Sequence, residues 1–192
     1  MYFRTCHHGF KQFTMAFTCG NDLLYAWWFY YDKLYLYAKN LEQAKYQDLI
    51  TNLNKIAKTA KIDPSEIIEY SNDDIIPCES LDRGGQKVVI FDDFVCEKVQ
   101  NEITRYFIQG RHKGCCVIYL SQSYYKTPKD IRLNCSHYIL FPFPRKKEND
   151  MICREQGISN EDFNKATDRE YDFLYIDKPR KLIKRNFHGD IL

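Results

Sequence analysis

One short apolar segment that ends in two carboxylates constrains the fold of this chain more than any other feature. Residues 88–91 are β-branched or aromatic without a polar interruption, and Asp92 and Asp93 follow directly. Such a run predicts a strand that is buried on both faces of a parallel sheet. Ligands of open α/β sheets lie outside the carboxyl ends of the strands, where an Asp can hold Mg²⁺ against a nucleotide phosphate and a second acid can orient the attacking water. An acidic turn that caps the following helix is the competing interpretation.

The size and charge of the chain favour one α/β domain with a single core. A chain of 192 residues is long enough for one sizeable domain and short for two. Lys and Arg number 28 against 26 Asp and Glu, so the net charge of +2 does not by itself call for nucleic acid or a membrane. An aromatic fraction of 16% indicates a packed fold and excludes a disordered tail.

The cysteines and the apolar runs indicate a protein that stays inside the cell. The eight Cys form no C-x-x-C pair, and Cys115 and Cys116 lie in apolar strand context, which favours reduced thiols; a zinc site is the weaker alternative. Polar residues interrupt positions 1–17, and the apolar run 23–31 is too short to cross a bilayer. We therefore expect no signal peptide, no membrane span and an intracellular location.

Apolar periodicity predicts strands and helices that alternate along most of the chain. Residues 1–22 show no clean period, and residues 23–30 are interpreted as a buried helix. The strands are predicted at 34–38, 67–70, 88–91, 115–120 and 137–141. The helices are predicted at 43–60, 95–109 and 160–167, with a charged helix from Arg145, a short helix or turn at 128–133 and a polar loop at 72–86. Residues 171–184 are predicted to form an edge β-hairpin, and the alternation predicts a parallel sheet covered on both faces.

A polar residue also follows the strand predicted at 115–120. Gln122 lies in a Ser-Gln-Ser segment at the end of that strand, in the position where P-loop motor ATPases use a polar side chain to contact the γ-phosphate or the attacking water. The alternative is that this segment only caps the strand. If the phosphate-site interpretation holds, the strands at 88–91 and 115–120 must be adjacent and parallel, with Asp92 and Gln122 at the same edge.

Three motifs within residues 88–141 carry a resemblance to a known family. VVIFDDF, ITRYFIQGRHKG and VIYLSQSYYKTPKDIRLNCSHYILF occur in this order at fitting distances. This block resembles the viral DNA-packaging ATPases of the FtsK–HerA superfamily, which include poxvirus-type enzymes and relatives in large DNA viruses and Maverick/Polinton elements. The similarity extends upstream through YDKLYLYAKN at 31–40, and downstream to the terminal hairpin.

The resemblance implies a role for each residue of the motifs. Asp92 looks like the Walker B acid that holds Mg²⁺. Asp93 stands where the superfamily has a catalytic Glu, which is one methylene longer. Gln122 matches the sensor residue. Arg111 is the candidate for an arginine that reaches a neighbouring subunit's nucleotide, and it should therefore be exposed; Arg132 is the second candidate.

The chain departs from the family in its phosphate-binding turn. No Gly-x-x-x-x-Gly-Lys-Ser/Thr motif occurs in the sequence, and its expected place is residues 15–22. Gly20 matches the second glycine there, but Asn21 replaces the lysine and Asp22 replaces the Mg²⁺-binding hydroxyl. Asn21 has no charge to offset the phosphates, and Asp22 adds a repelling one. The expected nucleotide-binding residues are thus degenerate, and the N-terminal region is expected to be truncated or replaced.

The resemblance also implies cofactors and partners. ATP and Mg²⁺ are the expected cofactors, and double-stranded DNA, a homo-oligomeric ring and capsid components are the expected partners, in the host cytoplasm, nucleus or viral factory, without a membrane. Phosphate contacts need only exposed cationic side chains, and solvated surface charge is the alternative for them. The DNA-binding candidates are Lys113, Lys126, Lys129 and Arg132.

The predicted fold class is α/β, with a P-loop NTPase-like, mostly parallel sheet, helices on both faces and a C-terminal β-hairpin. Residues 1–192 are expected to form a single domain, with a degenerate phosphate-loop region at 1–30, the core sheet at 31–144, and helices and hairpin at 145–192. Two functions stay open. The chain is either an ATP-driven DNA translocase for genome packaging, or a catalytically silent remnant that acts as a binding or assembly module. Residues 15–22 favour the second.

Overall fold

The computed structural model describes residues 31–95 and 98–187 with their side chains. It also describes the backbone of four further strands, at Tyr2–Arg4, Phe13–Thr18, Leu24–Phe29 and Gly189–Asp190. Among all the residues that the structure describes, no helix combines the length and the apolar character that a membrane span needs.

Strands and helices alternate through the middle of the chain. The strands are β1 (Tyr2–Arg4), β2 (Phe13–Thr18), β3 (Leu24–Phe29), β4 (Lys33–Ala38), β5 (Ile68–Ser71), β6 (Lys87–Asp92), β7 (Cys115–Leu120), β8 (His137–Leu140), β9 (Leu174–Asp177), β10 (Leu182–Arg185) and β11 (Gly189–Asp190). The helices are α1 (Ala44–Ala60), α2 (Pro64–Ile67), α3 (Gln100–Gln109), α4 (Lys129–Asn134), α5 (Lys146–Gln156) and α6 (Asn160–Ala166), with 3₁₀ turns at Cys78–Ser80 and Gly110–Lys113.

The main sheet has a parallel half and an antiparallel half. Its strand order in the described residues is β11-β10-β9-β8-β1-β7-β6-β4-β5, and β5, β4, β6 and β7 pair in parallel. β9 and β10 form the predicted C-terminal hairpin, which pairs with β8 and, through β10, with β11. The predicted fold class is confirmed, because the strands predicted at 88–91 and 115–120 are adjacent and parallel.

Alternating residues of the parallel strands serve two separate cores. Val89 and Phe91 face the same side as α3, whereas Val88 and Ile90 face the same side as α1. All four side chains are at most 1% exposed. A continuous apolar run is therefore needed in β6, since each of its faces is covered by a helical layer.

The N-terminal segment differs from its prediction. The buried helix expected at 23–30 is wrong, since Leu24–Phe29 is a strand that pairs with β2 from Phe13↔Phe29 to Thr18↔Leu24. Aromatic residues pack well on a pleated surface, which favours a strand for this aromatic segment despite its helical length. β1 lies between β7 and β8 and runs antiparallel to both, so that β8 keeps the direction of β7 without pairing with it.

A close backbone contact fixes the turns at the amino ends of β6 and β7. Lys87 is 3% exposed, and its ammonium group donates to Asp82 Oδ1 at 3.0 Å, to the Gly84 carbonyl and to the Lys113 carbonyl at 3.3 Å. Gly114 has a φ of 69°, and a Cβ on it would lie 2.5 Å from the Gly85 carbonyl oxygen. The position therefore requires glycine for both its backbone conformation and its packing.

Gly114→Ala is expected to destabilise the fold more than Gly157→Ala. Both positions have φ near +68°, which costs an alanine roughly 1–2 kcal/mol, but a Cβ on Gly157 meets no atom within 4 Å. Gly114→Ala should lower the free energy of unfolding by about 1–3 kcal/mol more than Gly157→Ala does, because the backbone at Gly85 must move. Urea unfolding of the two variants measures the difference, and equal losses would contradict the close approach.

Candidate functional site

Three parallel strands end together at one edge of the sheet. Ala38 of β4 and Leu120 of β7 are both register partners of Asp92. The Lys39 amide donates to the Asp92 carbonyl at 3.3 Å, and the Asp93 amide donates to the Leu120 carbonyl at 3.3 Å. The edge where Asp92, Asp93 and Gln122 leave the sheet is thus the carboxyl end of the parallel strands, where α/β proteins bind ligands. We call it the carboxyl-end site.

Asp92 is held by the first turn of α1. Its side chain is 18% exposed, and Oδ2 accepts a 2.5 Å hydrogen bond from the hydroxyl of Tyr46. Lys45 Nζ lies 3.8 Å from the same oxygen. Burial, and then the Asp92 carboxylate, raise the pKa of Tyr46 far above its ordinary value, so the phenol stays a proton donor at neutral pH. The sequence predicted a helix at 43–60 but gave no sign of this contact.

Asp93 has a different environment from Asp92. It is exposed, its φ is 63°, and its side chain makes no hydrogen bond or ion pair with the described residues. Asp tolerates the left-handed backbone better than most residues because its short polar side chain can bond locally. The turn therefore separates a fixed carboxylate from a solvent-facing one.

Gln122 lies on an exposed position of the segment between β7 and α4, which we call the 121–128 loop. The carboxylate of Glu148 on α5 accepts from Ser123 Oγ at 3.2 Å and from the Tyr124 amide at 2.8 Å. Thr127 Oγ1 donates to the Ser123 carbonyl at 2.8 Å. The backbone that carries Gln122 is therefore fixed by α5 as well as by β7.

Arg132 is a structural residue of this loop. Its side chain is 7% exposed, and Nε and Nη2 each donate to the Glu155 carboxylate at 3.0 Å. Nη1 donates to the Tyr124 carbonyl at 3.3 Å and to the Thr127 carbonyl at 2.5 Å. Arg132 was predicted to reach a neighbouring subunit or to contact DNA. Both predictions are wrong, because its guanidinium is buried and bound to groups of its own chain.

Arg111 is exposed, as expected, but it lies far from the carboxyl-end site of its own chain. It belongs to the 3₁₀ turn that precedes β7, at the opposite end of the strand from Gln122, and its Nε lies 3.2 Å from His112 Nε2. Within one chain the structure therefore does not bring Arg111 together with Asp92.

The predicted DNA-binding lysines fall into two groups. Lys113 is half-buried, and its ammonium donates to the carbonyls of Glu79 at 2.8 Å and Leu81 at 2.5 Å. Lys113 therefore has partners within the chain, and its role as a phosphate contact stays a prediction. Lys126 and Lys129 are exposed, one on the 121–128 loop and the other in the first turn of α4.

Among the described residues, the carboxyl-end site fits Mg²⁺ in part, and residues 15–18 do not form a phosphate-binding turn. The described residues contain no group of three or more side chains able to ligate a metal. Asp92 Oδ1 has no hydrogen-bond partner among them, so this oxygen can hold a cation that keeps its waters or takes phosphate oxygens. Residues 15–18 of the expected phosphate loop belong to β2, a regular strand of a two-stranded sheet. Gly20, Asn21 and Asp22 lie outside the described residues.

Comparisons with known proteins find similarity in solved structures alone. No family model matches the chain, and no curated protein matches it. The genome packaging NTPase B204 from Sulfolobus turreted icosahedral virus 2 resembles it with ATP-gammaS bound, at 17% identity and a TM-score of 0.48 over 80% of this chain and 95% of that one. B204 from Sulfolobus turreted icosahedral virus, a DNA-packaging ATPase, is 18% identical to this chain, with a TM-score of 0.47 over 80% of this chain and 96% of that one. The function of this chain is therefore inferred from the residues of the carboxyl-end site.

Tyr46→Phe should destabilise the protein by roughly 1–2 kcal/mol. The ring packing is kept, but the Asp92 carboxylate loses the hydrogen bond that the Tyr46 hydroxyl donates. Because this carboxylate is partly exposed, the lower part of the range for hydrogen bonds to charged groups applies. A double-mutant cycle with Asp92→Asn, measured by urea unfolding, isolates the pair. A coupling free energy near zero would show that the two side chains do not interact.

The stabilising effect of Glu155 should disappear in acid. Burial raises the pKa of Glu155, but the hydrogen bonds from Arg132 and Tyr124 outweigh it and hold the pKa below its ordinary value. A carboxylate with a lowered folded pKa stabilises the fold above its unfolded pKa and loses this effect as pH falls through the folded pKa. The difference in melting temperature between the wild type and Glu155→Gln should be present at neutral pH and shrink below about pH 4.5. A difference that is constant with pH would contradict the ion pair.

Proposed function

We propose that this chain is a nucleic-acid-binding member of the class of viral genome-packaging ATPases, acting as a binding or assembly module on DNA with feeble or absent ATP hydrolysis of its own. One observation carries the proposal. The ends of β6 and β7 lie side by side, so that Asp92 and Gln122 leave the sheet at the same edge, while residues 15–18 form a strand instead of a phosphate-binding turn.

The role of each residue follows from its position. Asp92 is the candidate metal ligand, and Mg²⁺ bound there would offset the charge of phosphate oxygens. Asp93 faces solvent at the end of the same strand, where it would orient a water, and Gln122 would contact the phosphate or that water. Lys126 and Lys129 would contact the phosphates of double-stranded DNA, which need only exposed cations.

The motif resemblance supports this assignment, and the missing lysine limits it. Carboxylates hold the metal of such a site, but a lysine and a cradle of backbone amides hold the triphosphate. Each charge-assisted contact from a lysine contributes roughly 1.5–3 kcal/mol, or about one to two decades of affinity. The loss of the cradle therefore outweighs the presence of the carboxylates.

A complete translocase is the second candidate function. It requires residues 1–192 to act as one domain in a homo-oligomeric ring, in which Arg111 of one subunit approaches the nucleotide of the next. The exposure of Arg111 is the observation that favours it. An arginine at that position would stabilise the charge that spreads over the phosphoryl oxygens, and capsid components would be further partners.

The steady-state ATPase rate with DNA and Mg²⁺ distinguishes these functions. The wild-type chain should hydrolyse ATP no faster than Asp92→Ala, because the triphosphate is not held. A variant whose residues 15–22 are rebuilt as a Gly-x-x-x-x-Gly-Lys-Thr turn is the matched test of the missing cradle. Activity in the wild type that disappears in Asp92→Ala would overturn the silent-module proposal in favour of the translocase.

A further inference from the structure

The 121–128 loop turns one tyrosine inward and the next one outward. Tyr124 is 0% exposed, and its hydroxyl donates to Glu155 Oε2 at 2.8 Å. Tyr125 is 72% exposed, the largest value among the exposed large hydrophobic residues that the structure describes. Its hydroxyl makes no hydrogen bond within this part of the chain. The exposed ring of Tyr125 therefore has no evident role in holding the loop.

The backbone around Tyr125 is nevertheless fixed. Arg132 Nη1 donates to the carbonyls on both sides of the exposed residue, those of Tyr124 and Thr127. The Tyr124 amide is bound to Glu148, and Ser123 Oγ accepts from the Lys126 amide at 3.2 Å. The partly buried Arg132–Glu155 ion pair and the Glu148 carboxylate thus hold the loop from two sides. The backbone of such a loop loses little conformational entropy when a ligand binds to it.

Two lysines lie close to Tyr125 along the chain. Lys126 follows it directly and Lys129 begins α4, both exposed, while Asp130 is the acidic side chain beside them. The exposed charged side chains of residues 125–130 are therefore two cations and one anion, which leaves a net charge of +1. An exposed aromatic ring with flanking ammonium groups is the combination that binds nucleic-acid strands, since every base has a face for stacking and every phosphate attracts a cation.

We propose that Tyr125 is a stacking residue for an unpaired base of a nucleic-acid strand, with Lys126 and Lys129 on the adjoining phosphates. The inference rests on the proposed function in one respect, since that function already makes nucleic acid the partner. It goes beyond it by assigning the contact to unpaired bases and to a residue that supplies no charge. Nucleotide hydrolysis is not required, so the contact forms without ATP.

Fluorescence anisotropy with labelled oligo(dT), without ATP and over a series of salt concentrations, tests this contact. Tyr125→Leu keeps an apolar side chain without a ring and should weaken binding roughly 5- to 150-fold. It should not change the salt slope, which is the slope of log affinity against log salt concentration. Tyr125→Phe should bind as the wild type does. Lys126→Ala should lower the salt slope by about 0.7, the contribution of one phosphate contact to a single strand. Asp130→Asn should strengthen binding.

Two controls separate stacking from other causes. Tyr70→Leu changes another exposed tyrosine, 47% exposed on the edge strand β5, which β6 and β4 separate from β7, and should leave binding unchanged. A blunt duplex presents no unpaired base, so Tyr125→Leu should bind it as the wild type does. The proposal is overturned if the wild type does not bind oligo(dT), if Tyr125→Leu binds it normally, or if duplex binding falls equally. Loss of self-association in Tyr125→Leu with normal oligo(dT) binding would identify a protein interface instead. The ATPase comparison is independent of all these outcomes.

Discussion

The parallel pairing of β6 between β4 and β7 is the constraint on which the rest of this structure depends. It places β6 inside the sheet, where helical layers cover both of its faces. This burial requires an apolar side chain at every position from Val88 to Phe91 and leaves polar residues only where the strand ends. The same pairing brings the ends of three strands to one edge. Core packing and the location of the carboxyl-end site thus have a single cause.

Two helices then determine what this edge can do. The first turn of α1 places Tyr46 on Asp92, and two carboxylates of α5, those of Glu148 and Glu155, hold the loop that carries Gln122. Buried ion pairs add little net stability, because desolvation offsets the attraction, but breaking one of them leaves an uncompensated charge. Arg132 and Glu155 therefore act mainly to fix the conformation of the 121–128 loop, which lets an exposed ring remain in a defined position.

The sequence predicted the parallel sheet and its acidic edge because both arise from local patterns. Continuous apolar runs and their polar ends identify strands β6 and β7 without knowledge of any contact. The roles of Arg132 and Lys113 were not predictable in this way, since their acceptors lie on other elements: a carboxylate 23 residues away for Arg132 and carbonyls 34 and 32 residues away for Lys113. The helix prediction for Leu24–Phe29 failed for another reason. The length of this aromatic segment fits a helix, but pairing with β2 overrides that preference.

Paramagnetic broadening by Mn²⁺ tests the central claim, that the carboxyl ends of β4, β6 and β7 form one metal-binding edge. It detects weak binding and does not depend on catalysis. In amide spectra of the isotope-labelled chain, low concentrations of Mn²⁺ should broaden Lys39, Asp93 and Ser121 first, and Asp92→Asn should abolish this selectivity. Broadening that begins elsewhere in the described residues, or that persists unchanged in Asp92→Asn, would contradict the account.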